Sequence, residues 1–294
     1  MLPRILQVTA QLLLALCLFV GQAHAGSTTL LGAGKPAAGG FTPSCTESSN
    51  FIARTSGLDN THKTNYDTLI CGLVTDGIFT KLDVLYVFAT DTTTNALLNL
   101  KSSSFNGTVT GSLTFNANVG YTGTGATNYI DTGFNPTAAS GNFTQNSGTI
   151  GAYIRTSRAV DQGYISIGTQ ANNFTFILPF GQFADLFQYA VNSVTPNTAA
   201  NTNAQGQWIV SRTGATAIAA QKNGAAFDSG TNVSGAIDNA NILVFASDLG
   251  GSAGGFSLDQ ESAVLIGGGL TGTEMANLAG RLNTYMTAYG INVY

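Results

Sequence analysis

The chain has 294 residues, of which 44% are hydrophobic and only 9% charged, with 36 glycines and a formal net charge of −4. Such a length can bury a sizeable core in one large domain or two small ones, and recurrent apolar runs at so small a charge exclude a disordered chain. The 11 basic and 15 acidic residues form no basic cluster, which excludes a footprint for nucleic acid or anionic lipid.

Residues 1–25 read as a signal peptide. Arg4 supplies the positive end, residues 12–20 the apolar segment, and Ala23-His24-Ala25 a small-x-small site with cleavage after Ala25. The apolar segment is too short to span a bilayer. Cys17 follows Leu16, where a lipoprotein signal wants a small residue, so a lipid anchor is not expected. The protein is expected to be secreted, periplasmic or held at the cell surface. Residues 26–43 are small and glycine-rich and read as a flexible linker.

Residues 44–80 read as a helical hairpin. Ser44 and Glu47 have capping-box spacing for a first helix ending near Gly57, and Asp59 is placed to cap a second. In that second helix Tyr66, Leu69, Ile70, Leu73 and Val74 share a face, and Gly77 is the stop. Folding the hairpin about Leu58 sets Cys45 and Cys71 level, and export favours their oxidation, so a disulfide is expected. His62 falls in the first turn of the second helix and reads as an exposed polar residue.

Residues 81–294 read as mainly β. Residues 82–89 (LDVLYVFA) form a strand apolar on both faces, and a short helix in 91–100 would turn Ala96, Leu97 and Leu100 inward. From Gly111 onward short strands alternate with turn signals, near 113–115, 129–132, 147–155, 163–169, 174–178, 186–191, 207–213, 217–222, 242–246 and 256–266. Asn223-Gly224 is the strongest hairpin signal and Asn106-Gly107 a weaker one. Gly267, Gly268 and Gly269 end the last strand for want of side chains to pack. Thr271 and Glu274 then form a capping box, with Leu270 and Met275 as hydrophobic staple. Met275, Leu278, Leu282, Tyr285, Met286 and Tyr289 make the buried stripe of a terminal helix stopped by Gly290.

Two of these segments resemble a known family. Residues 207–213 (QWIVSRT), the turn at Gly214 and Lys222-Asn223-Gly224 resemble the Trp-containing strand and hairpin of laminin G-like domains. Residues 255–278, with Phe256, Asp259, Glu261, Leu270 and Glu274, resemble the family's closing strand. Residues 51–88 are similar to an N-terminal extension on bacterial and phage members of this concanavalin A-like lectin-glucanase superfamily. The resemblance implies a two-sheet antiparallel jelly-roll sandwich between the helical hairpin and the C-terminal helix. It implies no ligand, because one sandwich hosts many functions. Three glycines stand where the family often has an aromatic residue or an Asn-Arg pair, and read as a tight turn.

Sugar hydrolysis needs two carboxylates about 5–9 Å apart. Asp259 and Glu261 share a strand face but lack the third acid of the family's catalytic strand, so they read as a polar edge. The one histidine outside the leader gives no triad, and paired cysteines leave neither a thiol nor zinc ligands. Calcium stays open, since loop oxygens at 170–173 and Asp248 would suffice. Of the aromatic run 174–189, Phe183 and Phe187 are expected at the surface, and Trp208 in the core. Asn106, Asn142, Asn173 and Asn232 stand in Asn-x-Ser/Thr sequons suited to solvent-facing loops. Asn172, Asn173, Phe183 and Asp248 are the ligand-binding candidates, gathered on loops at one rim. The first expectation is a non-catalytic, exported lectin-like module for a glycan or cell-surface polymer. The second is a self-associating structural surface or virion-type protein. A polysaccharide-acting enzyme is a distant third.

Overall fold

A computed structural model of the chain describes residues 40–159, 164–181 and 185–294. The leader, residues 26–39 of the linker and Phe183 lie outside the described residues. Helices α1 (Thr46–Ile52) and α2 (Asn60–Thr75) come first, followed by strand β1 (Leu82–Val87) and the single turn α3 (Thr93–Ala96). There follow β2 (Thr108–Thr110), β3 (Thr114–Asn116), β4 (Gly120–Thr122), β5 (Tyr129–Asp131), β6 (Gly148–Ile154) and β7 (Ile167–Thr169). Next are β8 (Phe174–Leu178), β9 (Leu186–Ser193), β10 (Asn197–Ala200), β11 (Gly206–Arg212), β12 (Ala217–Lys222) and β13 (Ala225–Thr231). Two-residue strands β14 (Leu243–Val244), β15 (Ser247–Asp248) and β16 (Ala253–Gly254) precede β17 (Gln260–Gly267) and the closing helix α4 (Gly272–Ala288).

The strands form two facing sheets. One runs β13-β12-β11-β6-β17, with β1 and the β4-β3 pair both lying along the far side of β17. The other runs β10-β9-β8-β7-β14-β5-β2 and carries the β15-β16 hairpin. Every pairing is antiparallel except β15 beside β7. The protein is mainly β, a two-sheet antiparallel sandwich with an N-terminal helical hairpin and a C-terminal helix, as expected. Alternation assigns the two faces of the first sheet. Val264 and Ile266 point between the sheets with Ile150, Ala152 and Trp208, and the Trp208 ring stacks on Phe187 at 4.2 Å. Ala263, Leu265, Leu85 and Val87 point outward, under Tyr66, Leu69, Ile70 and Leu73 of α2 and Leu278, Leu282 and Tyr285 of α4. This helix layer is why β1 and β17 are apolar on both faces: each buried Leu, Ile or Phe contributes about 1.5–3 kcal/mol.

The α4 capping box forms as read: Thr271 Oγ1 accepts from the Glu274 N–H and the Glu274 carboxylate accepts from the Thr271 N–H. Asn223 and Gly224 take φ 54° and 75°, the paired positive values of a tight hairpin turn. Cys45 and Cys71 are bonded, with Cα atoms 5.7 Å apart.

Several local expectations are corrected. The Ser44–Glu47 box is not made: α1 starts one residue later behind Cys45, and the Ser44 N–H donates to Asp67 at 2.8 Å instead. Asn106-Gly107 is no hairpin, because the Asn106 carboxamide accepts from the Asn99 N–H and the Gly107 N–H donates to Leu97. The last strand begins at Gln260 rather than Phe256, since the Ser257 N–H is drawn to the Phe245 carbonyl. Gly267 and Gly269 answer close approach rather than an empty face. A Cβ would lie 2.5 Å from the Lys81 carbonyl oxygen at the first and 2.4 Å from that of Arg212 at the second. His62 is buried, not exposed. Its ring lies between Asp59 Oδ1 (2.9 Å) and Asn118 Oδ1 (2.7 Å), against Tyr289.

Candidate functional site

The β7–β8 turn and the β15–β16 hairpin are neighbours, tied by the Gln170 N–H to the Asp248 carbonyl at 2.6 Å, so Asn172, Asn173 and Asp248 do come together. Their polar atoms mostly serve the loops themselves. Asp248 Oδ1 accepts from the Gly250 and Gly251 N–H groups (2.9 and 2.6 Å), and the Asn173 carboxamide donates to Ala236. The buried Asp238 carboxylate takes the N–H groups of Ala171, Asn172 and Asn173 at 2.9–3.0 Å. Asn172 keeps an exposed side chain. Phe183 lies outside the described residues, and its neighbours Gly181 and Asp185 sit at the opposite ends of β8 and β9 from Asn173. Phe187 is fully buried rather than at the surface, because it is the ring on which Trp208 and Tyr189 stack. Among the described residues, one group of three His, Cys, Asp or Glu side chains converges tightly enough for a metal: Cys45, Asp67 and Cys71. Both of its sulfurs are in the disulfide.

The two acids of the last strand are not a polar edge. Asp259 and Glu261 are both wholly buried. Arg158 grips Asp259 with two parallel bonds (Nε–Oδ1 2.8 Å, Nη2–Oδ2 2.9 Å) and lies over the Tyr164 ring. Glu261 sits between Ile154 of β6 and Tyr121 of β4, and neither of its oxygens has a hydrogen-bond partner. Burial first, and the charge of Asp259 second, push its carboxyl well above the usual carboxylate range. Ser166 is close enough to ease that rise but not placed to make a hydrogen bond. Glu261 is therefore sealed in the core with its protonated form favoured, out of reach of a substrate. Sequence alternation saw polar residues at 257–262 and read an edge; β4, packed from more than a hundred residues away, covers it.

A more promising concavity lies where the helix layer ends. The first turn of α4 leans on β12, with the Gln221 carboxamide donating to the Gly272 carbonyl at 2.8 Å, while β13 beyond it stays uncovered. The result is an open trough on the outer sheet face. One arm, of about 440 Å³, is lined by Thr213, Ile218, Leu270 and Thr271; the other, of about 380 Å³, by Gln221, Phe227 and Asp228. Ala219, Ser229, Gly272 and Met275 belong to both arms, so the trough is continuous. Its walls are held rigidly. Gln221 is nine-tenths buried and its Oε1 has no partner. Asp228 Oδ2 accepts from the Tyr189 hydroxyl at 2.9 Å. Phe227 turns its ring between the sheets, edge-on to Phe187 and Trp208 with centroids at 5.6 and 4.9 Å, so it backs the trough rather than facing it. Leu270, Thr271 and Met275 stood out in the sequence only as the start of the terminal helix, and residues 225–228 only as the second arm of the Asn223-Gly224 hairpin; the crossing of α4 is what makes this face concave.

The fold and trough define a helix-backed, two-sheet antiparallel sandwich. No protein-family model and no curated protein matches the chain. Solved structures similar to it include domain 4 of AbnA, a GH43 extracellular arabinanase from Geobacillus stearothermophilus, in complex with arabinotriose. Identity there is 15% over 68% of this chain and 98% of that one, with a TM-score of 0.48. The botulinum neurotoxin serotype D ligand-binding domain in complex with N-acetylneuraminic acid is also similar, at 10% identity and a TM-score of 0.43. That match covers 70% of this chain and 52% of the other, so the chain spans about half the length of the neurotoxin domain.

Proposed function

We propose that the protein is an exported, non-catalytic, lectin-like module of the concanavalin A-like kind that recognises a glycan or cell-surface polymer in the trough between α4 and the β12–β13 hairpin. The trough is the observation that carries this reading. A sugar offers hydroxyl groups around a flat apolar ring face. It is matched by a shallow floor of small and apolar residues (Ala219, Gly272, Met275) and by polar groups on the same outer face, the Gln221 carboxamide and the Ser229 hydroxyl. The non-catalytic part is supported by the burial of Asp259 and Glu261 and by the engagement of both His62 ring nitrogens. Export is supported by the disulfide and by the leader-like N-terminus. Among the described residues no helix is long and apolar enough to cross a membrane.

A glycan array probed with the chain from residue 26 onward tests this. Two lost hydrogen bonds of about 1–1.5 kcal/mol each correspond to a drop of roughly thirty- to a hundredfold or more, so the pair Gln221→Ala and Ser229→Ala should abolish the array signal. The rim triple Asn172→Ala, Asn173→Ala and Asp248→Ala should leave it intact. The reverse pattern moves the site to the rim, and an array without any signal ends the glycan reading.

A further inference from the structure

Most cations of the described chain are accounted for. Lys81 pairs with Glu274, Arg281 with Asp76 and Arg158 with Asp259. Arg155 donates to Gln260, Arg212 to the Val191 carbonyl and the Ser193 hydroxyl, and Lys222 to Asn201 and Asn203. Arg54 and Lys101 differ. Neither joins an ion pair among the described residues, and both line a single cleft of about 260 Å³ between α1, the Phe79 turn and the loop 100–103.

Both cations are steered into this cleft by groups that leave their charge uncompensated. Arg54 Nη2 donates to the Asn99 and Leu100 carbonyls at 2.7 and 3.4 Å, while its Nη1 has no partner. Lys101 Nζ donates to the Phe79 carbonyl at 2.8 Å and stands 4.8 Å from the Phe79 ring centre, so two of its three hydrogens remain unspent. Carbonyls and an aromatic face orient a cation without neutralising it. Burial disfavours the charged form of each, which is the cost that a bound anion would offset. Glu47 is the one acid on the cleft wall, and it accepts no hydrogen bond among the described residues. On the cleft wall two cations stand against one acid, with the buried Asp83 acting on Lys101 from outside the cleft, in a protein that is acidic as a whole. The Ser103 hydroxyl, on the same wall, adds a neutral donor.

We propose that the cleft beside α1 is an oxyanion site, binding a single carboxylate or sulfate group through Arg54 and Lys101. Guanidinium and ammonium donors suit either group, and the source is a free anion or the acidic substituent of a saccharide. The site shares no residue with the α4 trough, so each can fail without the other.

Isothermal titration of the exported chain with sodium sulfate, glucuronate and glucose tests it. Glucuronate or sulfate should bind at about millimolar strength, weaken as salt is raised, and exceed glucose at least tenfold. Tighter glucuronate binding assigns the source to an acidic saccharide; sulfate binding alone assigns it to a free ion. Lys101→Gln and Arg54→Gln should each lose at least tenfold, and Lys101→Arg should retain binding. Glu47→Gln should gain several-fold, and because its carboxylate accepts no hydrogen bond, that variant decides even where Lys101→Gln or Arg54→Gln fails to fold. Equal binding of glucose and glucuronate, no binding of either anion, or anion affinity indifferent to Glu47→Gln overturns the proposal. The trough pair Gln221→Ala and Ser229→Ala should leave it unchanged.

Discussion

Glu261 is wholly buried with no hydrogen-bond donor at its oxygens among the described residues, and that makes the stability of the whole chain depend on pH. Unfolded, the carboxyl titrates near 4.5; folded, burial and then Asp259 raise it well above that. The folded state therefore keeps a proton that the unfolded state gives up. The stabilisation is complete below about pH 4.5 and is lost as pH rises towards the folded value, at a limiting slope of about 1.4 kcal/mol per pH unit. Glu261→Gln, which cannot ionise, should flatten the fall in denaturant midpoint above pH 4.5. An unchanged slope would mean that the carboxyl is ionised in the folded protein. His62 acts in the same direction. Its burial opposes the proton, but the bonds to Asn118 and Asp59 prevail and raise its pKa. Its contribution is thus present below about pH 6.5 and disappears above the raised value.

At the scale of elements, the disulfide matters most to α1. That helix has seven residues, too few to persist alone, and its fully buried apolar side chain is Phe51. Helix α2 has 16 residues and buries Tyr66, Leu69, Ile70 and Leu73 in the core it shares with α4 and β17. Closing a loop across a separation of 26 residues stabilises by roughly 3–4 kcal/mol on chain-entropy grounds. The double change Cys45→Ser and Cys71→Ser should cost about that much in chemical denaturation, and hydrogen exchange should rise first in α1 while α2 stays protected. Loss of protection in α2 at the same rate would show that the hairpin opens as a unit. The turn from β17 to α4 gives a paired prediction. Gly269→Ala drives a Cβ to 2.4 Å from a backbone oxygen and should cost about 1–3 kcal/mol or more. Gly280→Ala, on the exposed side of α4 with nothing within 4 Å, should stabilise by about 0.5–1 kcal/mol. Thermal melts of the two variants check both signs.

Across the whole molecule, three layers lie in the order helices, first sheet, second sheet, and both candidate binding sites fall where the helix layer stops. The trough opens where α4 passes β12 and leaves β13 bare; the oxyanion cleft opens where α1 meets the loop after α3. Much of this was legible in the residues alone, wherever the signal is short in range. The capping box at Thr271 and Glu274, the Asn223-Gly224 turn, the doubly apolar strand at 82–87 and the level placing of Cys45 and Cys71 each depend on a dozen or two consecutive residues. The sequence by itself therefore determined the longer elements, the disulfide and the mainly β class, but not the short strands such as Asn197–Ala200. It did not determine which face of each element would be covered, because that depends on contacts between residues far apart in the chain. Arg158 reaches Asp259 across 101 positions and Lys81 reaches Glu274 across 193. Only those closures turned Asp259 and Glu261 from an apparent polar edge into a sealed core pair. They also drew His62 under Tyr289, spent Asp248 on its own turn and made a trough of the unremarkable residues around Gln221, since burial and concavity belong to the assembled layers and not to any one stretch.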